Sequence, residues 1–257
     1  MNFKKEKKLE SILKEEFCLS NLEYWGLNTL EKIKINIVDE SIKRHNGEYI
    51  EPINITSSSG FVLVIIFPDF VLKIFNDLTT LNKVVTLIKS GINSPHIINL
   101  IDVIEKNNFY AIITNKLIPL TNWNDNYPVL NYNLGSEEIL LTLLYQTGLG
   151  LELLHNNYFT HGDCTLDNIG IYNDKFMLFD FNMGKIHNSN TKSDIDSLLK
   201  SINNKNELKS FSSNIISFLK QNSINNASDL IYYIKKYCTL NRINLSKIYQ
   251  LIPLSQQ

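Results

Sequence analysis

The order of the periodic segments from Ile53 onwards constrains the fold of this chain more than any other sequence feature. Five short runs rich in β-branched and aromatic residues come first, with one helical pattern among them. The sequence pattern changes from β-rich to helical after Pro119. Residues 121–135 hold five Asn, and most of the chain beyond them has helical periodicity. The sequence therefore predicts an α+β protein with a small β-rich part followed by a larger helical part.

Strands and helices can be assigned to both parts from their periodicity. The β-rich part is expected to contain one helix, Leu78–Lys89, and five strands. The strands are expected near Ile53 and at Phe61–Phe67, Phe70–Phe75, Ile97–Ile104 and Phe109–Thr114. The helical part is expected to contain a helix from its N-cap Ser136 to about His155, strands at Ile169–Tyr172 and Phe176–Phe179, and helices from about Asp194. Residues 1–32 are expected to be largely helical, and Ile33–Ile37 alternates like a strand.

Charge and composition exclude several classes of function. The 257 residues include 25 Lys and Arg against 26 Asp and Glu, so the net charge of −1 gives no general electrostatic case for binding nucleic acid. The longest apolar run, Phe61–Phe67, is too short to cross a bilayer, and we expect no transmembrane segment. The cysteines, Cys18, Cys164 and Cys238, show neither a disulfide framework nor zinc-ligand spacing. No apolar signal core follows the basic start, so we expect a cytoplasmic protein, with delivery into a host cell left open.

The residues that carry chemistry lie in Thr160–Ile171 and shortly after it. Asp163 is followed five residues later by Asn168, and Asp180 comes twelve residues after Asn168, between two Phe. Phosphoryl transfer from a nucleotide needs a carboxylate that orients the acceptor hydroxyl, and oxygen ligands for Mg²⁺. Asp and Asn usually cap turns in such loops. Here the preceding long helix, the following hairpin and the flanking Phe residues together favour a phosphoryl-transfer site.

These motifs resemble those of the protein kinase-like superfamily, over most of residues 53–202. His161-Gly162-Asp163 with Asn168 resembles the catalytic loop, and Asp180-Phe181-Asn182 resembles the metal-binding motif. Upstream, Val71–Lys73 resembles the strand that carries the phosphate-binding lysine. Ser94–Leu100 resembles the turn after helix C, and Tyr110–Leu117 resembles the strand leading to the hinge. The resemblance implies a two-lobed kinase-like fold, with an N-terminal extension over 1–50, an N-lobe over 51–118 and a C-lobe over 119–257.

The resemblance also implies roles for individual residues, with ATP and Mg²⁺ as cofactors. Asp163 would be the catalytic base, and Asn168 and Asp180 would bind the metal. The residues expected to contact ATP are Ser58, Ser59, Gly60, Lys73, Asn115 and Leu117. Without ATP, the ammonium of Lys73 needs an anion, and we expect Asp180 to supply it; Asp77 and an acid of the N-terminal extension, such as Glu15 or Glu16, are the alternatives.

The sequence departs from the family pattern at several positions. No acidic residue lies between Leu78 and Ile101, where a Glu usually pairs with the strand lysine, and Asn182 replaces the usual Gly. Thr165 replaces the usual catalytic-loop lysine; the pattern H-G-D-x-T is closer to RIO-type kinases, and H-G-D also occurs in lipopolysaccharide kinases. The segment from Asp180 to the next predicted helix is too short for a long activation segment, a feature shared with lipopolysaccharide kinases and several bacterial effector kinases. One of two acids in that helix, Asp194 or Asp196, is expected to support the catalytic loop; an N-cap role is the alternative for each.

The leading interpretation is an ATP- and Mg²⁺-dependent phosphotransferase of the atypical kinase type. A protein Ser or Thr hydroxyl is the favoured acceptor, and a glycolipid or other small molecule is the alternative. The opposing interpretation is a pseudokinase that serves as a binding module. Four histidines are interpreted as isolated structural or exposed residues: His45, His96, His155 and His187.

Overall fold

The computed structural model describes residues 54–58, 62–66, 70–75, 78–90, 94–106, 109–120, 137–181, 191–205 and 209–244. They form five α-helices and two antiparallel sheets, so the predicted α+β class is confirmed. Predicted features outside these ranges are the helix over 1–32, the strand at Ile33–Ile37, the connector 121–135, the N-cap Ser136, and Asn182. The described residues fall into two compact units. The first unit consists of the residues up to Val85 together with Asn99–Lys116. The second unit consists of Thr86–Ile98 together with the residues from Leu117 onwards.

The first unit is built on a five-stranded antiparallel sheet. Its strands are β1 (Asn54–Ser58), β2 (Val62–Ile66), β3 (Phe70–Phe75), β4 (Leu100–Lys106) and β5 (Phe109–Asn115). They lie in the order β1-β2-β3-β5-β4, and helix α1 (Leu78–Ser90) connects β3 to β4. Helix α1 begins in this unit, and its residues from Thr86 onwards group with the second unit.

Strand β3 is fully buried on one face and partly buried on the other. Leu72 and Ile74, on the first face, are 2% and 1% exposed. On the second face Phe75 is 5% exposed, and the rest of this face, including Lys73, is half-buried. Lys73 pairs with Ile112 of β5, so Ile112 lies on this second face as well. Because neither face is fully exposed to solvent, the sequence of β3 is nearly all apolar instead of alternating.

The strand predicted at Ile97–Ile104 is wrong at its beginning. Strand β4 begins at Leu100, whereas the backbone N–H of Ile98 donates to the carbonyl oxygen of Leu178 at 2.9 Å. The N–H of Leu178 in turn donates to the carbonyl oxygen of His96 at 2.9 Å. A continuous apolar run predicts burial but not the partner strand, which is why the sequence pattern merged two segments with different partners.

The second unit contains four helices and a three-stranded sheet. Its elements are β6 (Ile118–Pro119), α2 (Glu137–Asn156), β7 (Ile169–Tyr172), β8 (Lys175–Leu178), α3 (Thr191–Asn204), α4 (Lys209–Gln221) and α5 (Ala227–Leu240). Strand β7 lies between β6 and β8, and a 3₁₀ turn at Leu166–Asn168 leads into it. Helix α2 is buried along most of its length. Among the described residues, no helix combines the length and apolar character needed to cross a membrane.

Buried polar side chains complete the outer edge of β8. The N–H of Phe176 donates to Gln146 Oε1 at 2.8 Å, and its carbonyl oxygen lies 3.1 Å from Nδ1 of His96. Gln146 and His96 are 2% and 7% exposed. Because a carbonyl can only accept, Nδ1 of His96 is the donor. These bonds satisfy backbone groups that β7 does not reach, and they fix the strand that leads to Asp180.

The turn that ends α2 contains an energetically unfavourable residue. Tyr158 has a φ of 65°, in the left-handed region, and the N–H of Phe159 donates to the carbonyl oxygen of Leu154 at 2.9 Å. Glycine is usually found at such a position because it has no Cβ. The side chain of Tyr158 is 74% exposed and contributes little burial.

Replacing Tyr158 should therefore stabilise the fold when the new residue tolerates the left-handed region, as glycine does. We expect Tyr158→Gly to raise the free energy of unfolding by about 1 kcal/mol relative to Tyr158→Ala, because alanine retains the left-handed cost. Urea denaturation of the two variants measures this difference. Equal stabilities would contradict a conformational cost at this turn.

Candidate active site

The loop between α2 and β7 brings Asp163 and Asn168 into direct contact. Nδ2 of Asn168 donates to the backbone oxygen of Asp163 at 2.8 Å and to its Oδ2 at 3.0 Å. Two acceptors at Nδ2 fix the orientation of the amide, so its Oδ1 is turned away from the carboxylate. Asn168 is 8% exposed and Asp163 is half-buried. The loop thus joins a carboxylate and an amide oxygen in one rigid arrangement.

The carboxylate of Asp194, in the first turn of α3, holds the backbone of this loop. Its Oδ2 accepts from the N–H of His161 at 2.8 Å, and its Oδ1 accepts from the N–H of Gly162 at 2.9 Å. Nε2 of His155 lies 3.0 Å from the same Oδ2. Asp194 is 1% exposed, whereas Asp196 is exposed to solvent. Of the two acids predicted to support the loop, Asp194 makes the contacts.

The hydrogen bonds to Asp194 favour its charged form. Burial by itself would raise the pKa of this carboxyl group. The hydrogen bonds from the side chain of His155 and from the backbone N–H groups of His161 and Gly162 outweigh burial and bring the pKa below 3.8. The loop is therefore held by an ionised group, whose hydrogen bonds are stronger than those of a neutral acceptor.

Gly162 allows two consecutive N–H groups to reach one carboxylate. Its φ is 83°, in the region that side chains other than glycine rarely adopt. Successive backbone N–H groups converge on an anion only where the chain turns in this way. The glycine in the H-G-D sequence is thus explained by the backbone geometry next to Asp163.

His161 connects the loop to the residues that follow β8. Its Nε2 lies 3.0 Å from the carbonyl oxygen of Phe179 and must be the donor, so its Nδ1 can accept from the N–H of Asp163 at 3.4 Å. The ring of His161 is fully buried, and its centroid lies 4.9 Å from that of Phe181. The loop and the Asp180 segment are therefore positioned together.

Asp180 has an unusual backbone conformation. Its φ is 55°, and the preceding Phe179 donates its N–H to the carbonyl oxygen of Asn168 at 3.0 Å. A residue other than glycine in the left-handed region is uncommon, although Asp tolerates it better than most. Such strain often accumulates at functional sites, so the observation supports a functional role for Asp180.

The predicted ATP-binding residues are divided between the two units. Ser58 ends β1 and pairs with Val62, while Ser59 and Gly60 lie outside the described residues. Lys73 lies within β3, and Asn115 is the last residue of β5.

Leu117, the remaining predicted contact, belongs to the second unit and is 7% exposed. Its Cβ would lie 2.7 Å from a Cβ added to Gly170, so the glycine permits the close approach of these two segments.

Of the predicted site residues, Asp163 and Asn168 are brought into hydrogen-bonding contact. The predicted pairing of Lys73 with Asp180 stays a prediction.

The predicted isolation of His155 is wrong, although a structural role was one of the two predicted for it. The side chain is 6% exposed and contacts Asp194, a residue 39 positions later in the chain. The helical phase of α3 does not separate Asp194 from Asp196, because the two acids flank the buried face of Ile195, Leu198 and Leu199 on either side. No sequence signal identified the contact of His155 either.

Cys164, next to the candidate base, behaves as an apolar side chain. It is fully buried, and burial, with the nearby carboxylates of Asp194 and Asp163, raises the pKa of its thiol well above 9.0. Within the described ranges, no group of three or more His, Cys, Asp or Glu side chains is arranged to hold a metal ion.

Two buried histidines should make the stability of the protein depend on pH. Burial lowers the pKa of His96 and of His161 below 6.5; neighbouring hydrogen bonds and carboxylates offset this only in part. At pH values between 6.5 and the lower pKa values of these histidines in the folded protein, the unfolded chain binds more protons than the folded protein does. The free energy of unfolding should therefore fall as the pH is lowered through this window.

Urea midpoints at about pH 7.5 and about pH 5.5 measure this effect. His96→Asn should make the midpoint less dependent on pH, because the amide does not titrate across this range. A wild-type midpoint that is constant, or that rises on acidification, would show that these histidines do not destabilise the folded state when protonated.

Neither a family model nor a curated protein matches the chain.

Proposed function

We propose that this protein is an ATP- and Mg²⁺-dependent phosphotransferase of the protein kinase-like superfamily, with an alcohol hydroxyl as acceptor. The observation that carries the proposal is the contact between Asp163 and Asn168 in a loop whose backbone is held by the buried carboxylate of Asp194. Phosphoryl transfer depends mainly on positioning and charge neutralisation. A rigid loop that presents a carboxylate and an amide oxygen meets that requirement.

Asp163 is assigned the role of base. Its Oδ2 accepts from Asn168, and we assign its other oxygen to the hydroxyl of the acceptor. A carboxylate at this position orients the hydroxyl and accepts its proton as the oxygen attacks the γ-phosphate. The half-buried setting of Asp163 gives the acceptor access while the backbone stays fixed.

Asn168 and Asp180 are assigned to Mg²⁺. The amide of Asn168 is oriented by Asp163 so that its Oδ1 is the remaining polar atom, and Asp180 contributes a carboxylate. These hard oxygen donors fit Mg²⁺, which in proteins usually takes one or two carboxylates and completes its shell with water and phosphate. The bound ion would neutralise charge on the phosphates of ATP.

The strand order of the first unit supports a two-lobed kinase-like fold. A five-stranded antiparallel sheet with one helix between β3 and β4 is the arrangement expected for the small lobe of this superfamily. Lys73, half-buried in the central strand β3, is the residue we assign to the α- and β-phosphates. A buried or half-buried ammonium needs an anionic partner, which phosphate supplies.

The acceptor that we favour is a Ser or Thr hydroxyl of a protein. Ser94–Leu100 and Tyr110–Leu117 resemble protein kinases, whereas the H-G-D sequence and the short stretch between Phe181 and Thr191 are shared with kinases of glycolipids and small molecules. Incubation with labelled ATP and a cell lysate, followed by separation of proteins, lipids and sugars, tests this choice. Label in the lipid or sugar fraction alone would exclude a protein acceptor.

One observation favours the second candidate, a pseudokinase that binds other molecules. Helix α1 has no acidic residue to pair with Lys73, and its charged side chains are Lys83 and Lys89. Thermal-shift measurements with ATP, with and without Mg²⁺, combined with the transfer assay, separate the candidates. A shift with transfer supports the enzyme, a shift without transfer supports the binding module, and neither effect would exclude both.

A further inference from the structure

We propose that Ser201 is a positioning residue for the assigned metal ligand Asn168, because its hydroxyl caps the 3₁₀ turn that carries this ligand. The proposal rests on the function proposed above. The backbone N–H of Leu166, the first residue of the turn, donates to Oγ of Ser201 at 3.2 Å. Ser201 lies in α3, 35 positions later in the chain, so this bond ties the loop between α2 and β7 to that helix.

The N–H of Leu166 needs an acceptor from outside the turn. The first N–H groups of a helical turn have no partner within it, and the side chain of the N-cap residue often supplies one for these groups. The N-cap here is Thr165, a residue type suited to this role, but its side chain makes no capping bond. Leu166 is 2% exposed, and a buried N–H without an acceptor is costly. The hydroxyl of Ser201 therefore takes the place of a local cap.

A second hydrogen bond fixes the orientation of the Ser201 hydroxyl. Oγ donates to the carbonyl oxygen of Leu198 at 2.8 Å, a bond that serine commonly makes within a helix. A hydroxyl has one hydrogen, and this bond uses it, so Oγ meets the N–H of Leu166 with a lone pair. Helix α3 thus presents an acceptor of fixed direction to the turn.

The 3₁₀ turn transmits this anchor to Asn168. The N–H of Asn168 donates to the carbonyl oxygen of Thr165 at 3.0 Å and closes the turn that Leu166 begins. Hydrogen-bonded partners behind a metal ligand fix its orientation, and their loss typically lowers metal affinity or activity about 10- to 100-fold. Ser201 therefore acts on the affinity for Mg²⁺, through the position of the Asn168 amide.

Helix α3 supports the two ends of the loop through different residues. Asp194 and Ser201 are seven positions apart, so they lie on the same side of α3, about 10 Å apart along its axis. Asp194 holds the N–H groups of His161 and Gly162, which precede the candidate base Asp163. Ser201 holds the turn that follows the base. Loss of the Ser201 hydroxyl should therefore leave the backbone before Asp163 in place.

The test compares Ser201→Ala with Ser201→Thr. Alanine removes the acceptor and favours the helix, whereas threonine keeps a hydroxyl that can bond to a carbonyl of the preceding turn. We expect Ser201→Ala to raise the Mg²⁺ concentration for half-maximal transfer about 10-fold, with kcat at saturating Mg²⁺ close to that of wild type. Ser201→Thr should retain most of the wild-type response to Mg²⁺. If Ser201→Ala does not fold, Ser201→Cys takes its place, because a thiol is only a weak acceptor.

The matched control is Thr239→Ala. Thr239 also lies in the last turn of its helix, α5, and its Oγ1 donates to the carbonyl oxygen of Lys235 in that helix at 3.0 Å. The control should leave the response to Mg²⁺ unchanged. An unchanged Mg²⁺ requirement in Ser201→Ala, or an equal rise in Ser201→Thr or in Thr239→Ala, would overturn the positioning role.

Amide hydrogen exchange provides a second readout, which needs no transfer and so separates this inference from the proposed function. In Ser201→Ala, the N–H of Leu166 should exchange faster than in wild type. The N–H groups of His161 and Gly162, which Asp194 holds, should exchange as in wild type. This pattern would support the cap even if wild-type protein transferred no phosphate. Unchanged exchange at Leu166, or equally faster exchange at all three amides, would overturn it.

Discussion

Asp163→Asn is expected to abolish phosphoryl transfer while the affinity for ATP stays close to that of wild type. The amide cannot accept a proton from the acceptor, and the loss of a general base lowers rates on the order of 10²- to 10⁴-fold. The fold should be retained, because an amide oxygen at this position can still accept from Nδ2 of Asn168. Transfer from labelled ATP and ATP binding by calorimetry measure the two effects.

Asp180→Asn is the matched comparison, because it makes the same chemical change at the assigned metal ligand. It should weaken nucleotide binding in the presence of Mg²⁺, since the amide loses the charge that holds the ion. Asn also tolerates the positive φ of 55° at this position, so the backbone should not change. Equal loss of ATP binding in both variants, without unfolding, would contradict the separate roles of base and metal ligand.

Asp194→Ala is expected to destabilise the protein by about 3–5 kcal/mol, because each buried donor left without an acceptor costs about 1–3 kcal/mol and this change leaves three of them. Two backbone N–H groups and Nε2 of His155 lose their common acceptor in an environment that is closed to solvent. The transfer activity should be lost as well, because these N–H groups fix the backbone that carries Asp163. Urea denaturation at neutral pH measures the change in stability.

Asp196→Ala is the control for this prediction. Asp196 lies on the same helix and has the same chemistry, but it is exposed to solvent. Its replacement should change the free energy of unfolding by no more than about 0.5 kcal/mol, as for most surface substitutions. Similar losses in the two variants would show that the helix as a whole, and not the buried carboxylate, determines the stability.

The sequence predicted the local elements well where an apolar run is bounded by turn residues or has a helical period. Phe70–Phe75 and Phe109–Thr114 were recognised as strands, and the helix at Leu78–Lys89 differs from α1 by one residue. The periodicity did not reveal β6, because a strand of two residues that includes Pro119 has no period to detect. Long-range pairing is a tertiary property, and the local pattern does not determine it.

The candidate site was predictable to the extent that its residues are close in sequence. The five-residue spacing identified Asp163 and Asn168 as neighbours in one loop, and the structure gives the hydrogen bond between them. The partners of Asp194 could not be deduced in the same way, since His155 is 39 positions away and an isolated histidine has no sequence signature. Only the packing of α2 and α3 brings these groups together.

The burial of Cys164 determines how the site responds to electrophiles. Alkylating agents and peroxides react with thiolates, and a thiol with a strongly raised pKa in a fully buried position forms almost none. The residue next to the candidate base is therefore protected against oxidation for as long as the loop keeps its native packing. Once the loop opens, the thiol becomes reactive, so covalent labelling of Cys164 records the opening of the loop between α2 and β7 in the unmodified protein.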